Sequence, residues 1–226
     1  MVDDEQMNTR AKHMLIILGG LYHDFDGFAR AMQSLFEAND WSVEATYDLD
    51  VLKRLDKADY QVVLSFTCFS KNTPEQKVPT PERLTDEQVR GLAGWVQHGG
   101  GLLAVHCATV IGESDQELSR LLGGAFISHP APLTFTVNPV SDKHPITSGV
   151  SAFDVYDEFY IERCESSVAI HMSAVYEGRS YPMVWSKPEG AGRVAHIAPG
   201  HFPEVWSHPL YQRLMIQAVN WLTEER

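Results

Sequence analysis

The chain has 226 residues, 30 of them acidic and 18 basic, for a net charge of −12. That length buries a sizeable core without disulfides or structural metal, and that charge repels phosphate backbones and anionic lipid, so neither nucleic acid nor membrane is an expected partner. The three cysteines, Cys68, Cys107 and Cys164, are odd in number and widely spaced, which excludes a disulfide framework or a CxxC metal knuckle and leaves reduced thiols as the expectation.

Residues 1–13, MVDDEQMNTRAKH, are polar and expected to be flexible, with no apolar run of a secretory signal. The next apolar stretch, Met14 to Leu18, is too short to span a bilayer, so a cytoplasmic location is expected. Met14 to Leu18 ends in Gly19-Gly20 and reads as a buried strand feeding a tight turn. Phe28, Ala31, Met32, Leu35 and Phe36 then fall at helical offsets, with Asp26 as the expected N-cap. Ser42 to Thr46 suggests a strand, Leu49, Leu52 and Leu55 a short helix, and Tyr60 to Phe66 another buried strand. The polar stretch Ser70 to Arg83 reads either as a lid or rim over a site or as a plain surface loop.

Thr85 and Gln88 form a capping-box pattern ahead of Val89, Leu92, Ala93 and Val96, and Gly99 to Gly101 stops that helix. Leu102 to Val105 is the next buried strand, and His106 falls at its carboxyl end, where open α/β sheets place ligands. Beyond Leu121 the pattern changes. Leu133 to Val137 alternates apolar residues with threonine, and Ser167 to Val175, Met183 to Ser186 and Arg193 to Ile197 follow one another over short turns, which predicts an antiparallel or mixed half. Tyr211, Leu214, Met215, Ala218, Val219 and Leu222 make the apolar stripe of a final helix, with Pro209 in its first turn. No repeat or linker divides the chain, so one domain over 1–226 is expected.

His23, His106, His129 and His201 all stand beside turn residues at or near predicted strand ends, where an imidazole can bind metal or move protons. Glu158 is the carboxylate that completes the set, with Asp157 or Asp24 as a second. Several imidazoles with one carboxylate suit a divalent cation such as zinc; His106, His129, Glu158 and His201 are the expected ligands, although no HExxH or comparable fixed spacing is present. A lone histidine in a glycine loop is more often a surface group, so the argument rests on four occurring together. His13, His98, His171 and His208 are read as structural or surface residues, and His144 is left open.

Cys107 follows a strand at a sharp turn, but the apolar run ends so that His106 takes the elbow position and Cys107 becomes a small buried filler. The glycines of GGLYHD do not match GxGxxG, so no nucleotide or flavin is expected. Tyr160, Trp185 and Trp206, with Tyr181, serve either to stack on sugar faces or as ordinary core aromatics; together with Asp24, the first three are the candidate substrate-binding residues. Aromatics near the carboxyl terminus leave a homo-oligomer open.

In order and spacing, GGLYHD, GGGLLAVHCAT, GGAFISHP, HPITSGVSAFDVYDEFY and PMVWSKPEGAGRVAHIAPGHFPEVW resemble the ThuA-like, trehalose-utilisation family over nearly the whole chain. The resemblance implies a class I glutamine amidotransferase-like, flavodoxin-like α/β fold. That fold is a three-layer sandwich with a mainly parallel central sheet and a mixed or antiparallel C-terminal extension, here without the catalytic cysteine. It implies carbohydrate metabolism in pathways where a partner oxidoreductase makes a 3-keto sugar, and a pocket formed by His23, His106, His129, Glu158 and His201. The GGLYHDF opening and Ala195-His196, where an aromatic is usual, depart from many relatives. The expected function is a hydrolase or lyase acting on an oxidised sugar or glycoside, in which a cation polarises the keto oxygen and His23 or His129 moves a proton. A non-catalytic sugar-binding protein is the first alternative, and a cysteine-dependent amidohydrolase the second.

Overall fold

The computed structural model describes residues 12–112, 116–141 and 143–224. Of the polar segment 1–13, Lys12 and His13 already belong to the first strand, and the rest lies outside the described residues. Eleven strands are present among the described residues: β1 Lys12–Gly20, β2 Trp41–Thr46, β3 Val62–Cys68, β4 Gly101–Val105, β5 Gly124–Ser128, β6 Leu133–Pro139, β7 Phe153–Asp157, β8 Ile161–Cys164, β9 Ala169–Tyr176, β10 Arg179–Glu189 and β11 Gly192–Ile197. Nine form one sheet in the order β2-β1-β3-β4-β11-β10-β9-β6-β7, while β5 and β8 make a separate antiparallel pair.

The sheet is parallel from β2 to β11 and antiparallel from β11 onward, so the change of periodicity along the sequence marks a real change of strand direction. β3 starts at Val62, later than the apolar run suggested, and continues to Cys68. β1 explains the parallel half: Met14, Ile16 and Leu18 enter one core cluster and Leu15 and Ile17 another, because successive side chains of a strand point to opposite faces.

Helix α1 (Phe25–Glu37) buries Phe28, Met32 and Phe36 against the first cluster, each of them fully covered and worth roughly 1.5–3 kcal/mol in transfer free energy. Its N-cap is Asp24, not Asp26: the Asp24 carboxylate accepts the Gly27 N–H at 2.8 Å, while Asp26 accepts the Tyr47 hydroxyl. The leucines at 49, 52 and 55 lie on a 3₁₀ helix, Leu49–Lys57, that packs on α2 (Asp86–Gln97). The capping box at Thr85 and Gln88 forms as expected. Helices α3 (Gln116–Leu122), α4 (Pro203–Trp206) and α5 (Pro209–Thr223) complete the chain, and the six stripe residues of α5 are all buried. No helix among the described residues is long and apolar enough to cross a membrane.

Candidate functional site

Three parallel strands end at the same edge, and each delivers a histidine just beyond its last residues. After β1 the chain turns through Gly19-Gly20 and presents His23; Gly20 has φ +108°, and a Cβ there would fall 1.9 Å from the Cys68 carbonyl oxygen. Glycine is therefore required where the turn crosses β3. β4 ends at Val105, and His106 itself adopts φ +46°, a left-handed conformation uncommon for a residue with a side chain, at the start of a 3₁₀ turn, His106–Thr109. β11 leads through Pro199-Gly200 to His201. Glu158 comes from the segment after β7 and meets the three rings, as expected for a crevice beyond the carboxyl edge of a parallel sheet.

Two of the rings are oriented by a contact on their far side, and the third residue is held by its backbone. His106 donates Nδ1–H to the Ala198 carbonyl at 2.7 Å, and His23 donates Nδ1–H to the Leu21 carbonyl at 2.9 Å. Those bonds fix the tautomer and turn Nε2 of both rings toward the cluster. The His201 backbone N–H is held by Asp157 at 3.1 Å, and its Nδ1 lies 3.1 Å from Glu158 Oε2; His106 Nε2 lies 3.5 Å from the same oxygen. His23 Nε2, His106 Nε2 and His201 Nδ1 are all buried without a hydrogen-bond partner. With a Glu158 oxygen, one atom from each residue falls within 4.8 Å of the others. Three imidazole nitrogens and a carboxylate oxygen grouped in this way fit a divalent cation chemically, as nitrogen and oxygen donors with one anion.

The electrostatics favour neutral rings at His23 and His106 and the reverse at His201. Burial lowers the pKa of both His23 and His106, against the Glu158 contact that raises His106. For His201 burial also lowers, but Glu158 outweighs it and the net shift is upward. Burial alone would raise Glu158, yet His106 and His201 hold it well below the usual carboxylate range. Asp157, fully buried, is pushed up to about 7 by burial even though Gly200 and His201 donate backbone N–H groups to it.

His129 is adjacent, not part of the four. Its Nε2 is 3.8 Å from Glu158 Oε1, its side chain is 34% exposed, and its Nδ1–H is donated to the Pro130 carbonyl. In this group of four His23 stands where His129 was expected, because the turn after β1 carries it inward while His129 follows β5 at the rim. Tyr160 reaches the cluster as its wall, stacked on His106 at 4.0 Å and packed on Phe126 at 4.5 Å, so its ring is covered and not presented to a sugar.

The structure places the other expected substrate-binding residues outside this cluster. Asp24 is the exposed cap of α1. Trp185 is fully buried, donates its indole N–H to the Leu122 carbonyl and packs on His196. Trp206 is buried against Phe28 and Phe66 and donates to the Gly200 carbonyl at 2.6 Å, bracing the turn that carries His201. Tyr181 packs on Phe159. His144 caps a 3₁₀ turn and stacks on His171, and His208 caps α5, so both are structural.

The Ser70 to Arg83 stretch is closed by Asn72, which bonds Thr80 and Glu82, and it rims a cleft of 1560 Å³ that also takes in Thr109, Phe126 and Arg163. Among the described residues no histidine lines that cleft, although Phe126, which does, packs on His129. Two features escaped the sequence reading. Cys68 contacts both His23 and Cys107; the Cys107 thiol, then His23, hold Cys68 below the usual thiol range, while burial pushes Cys107 up. Glu162 and His196 form a buried pair at 3.3 Å, signalled in the sequence only by a histidine inside the apolar run RVAHIA.

A family profile described as trehalose utilisation, ThuA, matches residues 14–222. Among solved structures, the chain is similar to a ThuA-like protein from Parabacteroides merdae (TM-score 0.78, 18% identity, covering 95% of this chain and 90% of the other). It is also similar to a ThuA-like protein from Bacteroides uniformis (0.73, 17%, 98% and 95%). A third likeness is to a cytoplasmic protein from Salmonella typhimurium (0.63, 13%, 95% and 100%). At these identities the likeness carries the fold. Comparison with the curated proteins gives no sequence match.

Proposed function

Because the chain belongs to the ThuA trehalose-utilisation family, we propose that it is an enzyme of carbohydrate metabolism acting on an oxidised, 3-keto sugar or glycoside at a site built from His23, His106, Glu158 and His201 with a divalent cation. The observation that carries the reading is the grouping of three buried imidazole nitrogens and one carboxylate oxygen within 4.8 Å of one another. A bound divalent cation supplies Lewis-acid polarisation of a carbonyl, which acidifies the neighbouring C–H.

The protein's own groups do the rest. His23 and His106, whose pKa burial lowers, and His201 present their nitrogens from positions held by Leu21, Ala198 and Asp157, and Glu158 supplies the anion that balances positive charge there. His129, half-exposed beside Glu158 with Nδ1–H tied to Pro130, has Nε2 free to take the acidified proton and return one to a leaving oxygen. Elimination or hydrolysis of the glycosidic bond then needs no second catalytic carboxylate. The proposal includes one flavodoxin-like, three-layered domain in the cytoplasm. It draws on the two core clusters entered by alternate β1 residues and on the cytoplasmic description of the Salmonella relative.

The test is a panel of 3-keto-disaccharides and 3-keto-glycosides with metal-replete protein, products read by chromatography. Product release is expected, stopped by chelator and slowed about 10²- to 10⁴-fold in His129→Ala. Calorimetric binding of disaccharide with no product under any metal condition would favour a non-catalytic sugar-binding protein and overturn the enzyme.

A further inference from the structure

We infer that Thr109 and Glu162 are positioning residues that fix His106 within the histidine and carboxylate cluster, an inference that rests on that cluster being the functional site. Glu162 stands on β8, four residues after Glu158, and its side chain is wholly buried. Its Oε1 accepts the Thr109 hydroxyl at 2.6 Å, and its Oε2 lies 3.3 Å from Nε2 of His196, a ring that is also wholly buried. Thr109 is the last residue of the 3₁₀ turn that begins with His106, and its hydroxyl is 3.2 Å from the His106 carbonyl oxygen.

A buried carboxylate is expensive, and apolar residues of similar volume fill such a space at least as well. The contact must therefore repay its cost in placement. His106 holds a left-handed backbone conformation that its own turn does not favour, and its ring must point Nε2 at Glu158. Glu158 and Tyr160 sit on the segment leading into β8, which pairs with β5 and lies outside the large sheet, whereas His106 ends a central strand of that sheet. The Thr109–Glu162 bond is a direct buried tie between these two parts of the site. His196, packed on Trp185 at 4.1 Å, stands behind the carboxylate from β11, with Nε2 3.3 Å from Oε2.

The experiment uses chelator-treated, untagged, full-length protein, with Zn²⁺ affinity measured by competition with a chromophoric chelator. Thr109→Val, close to isosteric, is expected to weaken Zn²⁺ binding about 10- to 100-fold, while Thr109→Ser, which keeps the hydroxyl, stays within about threefold of wild type. A second readout needs no metal: the proton resonance of His106 Nδ1–H, shielded by its bond to Ala198, is expected in wild type and Thr109→Ser and shifted or lost in Thr109→Val. If Thr109→Val does not fold, the double variant Thr109→Val/Glu162→Gln removes the unpaired charge, and the same two losses are expected. Wild-type affinity together with an unchanged resonance in the valine variant overturns the positioning role. Absence of Zn²⁺ binding by wild type counts instead against the metal site, and the resonance alone then decides the role of Thr109 and Glu162.

Discussion

Replacing Glu158 by glutamine in metal-free protein should cost stability in one pH window only. In the wild type Glu158 Oε2 lies 3.1 Å from His201 and 3.5 Å from His106, with all three side chains mostly or wholly buried. The carboxylate has a folded pKa below its ordinary 4.5, so its contribution is present above 4.5 and lost as pH falls through the folded value. His201 has a folded pKa above its ordinary 6.5, so its contribution is present below 6.5 and lost as pH rises through the folded value. Both are in force between 4.5 and 6.5. An opposite charge at this range shifts a pKa by about 1–3 units at about 1.4 kcal/mol each, and taking the lower half of that range gives about 2 kcal/mol. For a chain of this size that is roughly 4–8 °C in Tm. Thermal unfolding of both proteins after chelator treatment, at about pH 5.5 and pH 8.5, supplies the test; groups common to both cancel in the difference. Near pH 8.5 His201 is discharged and the carboxylate is buried without its partner, so the gap should close or reverse. An equal loss at both pH values, or a glutamine variant as stable as wild type near pH 5.5, would refute the coupling.

Trp185→Phe should lower stability by about 1–2 kcal/mol by leaving the buried Leu122 carbonyl without its donor, with metal affinity unchanged in a chelator competition. Cys107→Ser should keep turnover of a 3-keto-glycoside, because the thiol is buried beside Cys68 and pushed toward its neutral form; a dead serine variant would restore the cysteine-dependent reading. Gly20→Ala should cost at least about 2 kcal/mol in a denaturant melt, since φ is +108° and the new Cβ would collide with the Cys68 carbonyl.

The parallel half of the sheet was legible because its strands are continuous apolar runs stopped by glycine, and the stop also names the residue at the strand end. His106 was found in that way, and His23 and His201 followed from the same pattern. What the pattern does not carry is the direction of a ring once it leaves the strand: His23 and His129 look alike in sequence, yet only His23 turns inward. Trp185 failed for a different reason: Met183 to Lys187 of β10 are buried on both faces of the strand, and an aromatic taken by type alone does not show whether it is covered. The helix cap was missed by two residues because Asp24 and Asp26 are equivalent by type. What separates them is Gly27, where a Cβ would fall 2.0 Å from an Asp24 carboxylate oxygen. Glu162 and His196 were hidden because they stand on β8 and β11, strands of two different sheets that do not pair with each other.

The most direct test of the central claim is the metal content of the untagged protein, purified without chelator and dialysed against metal-free buffer. About one equivalent of a divalent transition ion per chain is the expected result, falling to background in His106→Ala and Glu158→Gln with their far-UV spectra unchanged. A wild-type protein that emerges without metal and takes up none of zinc, manganese, iron or cobalt at micromolar concentration would contradict the account.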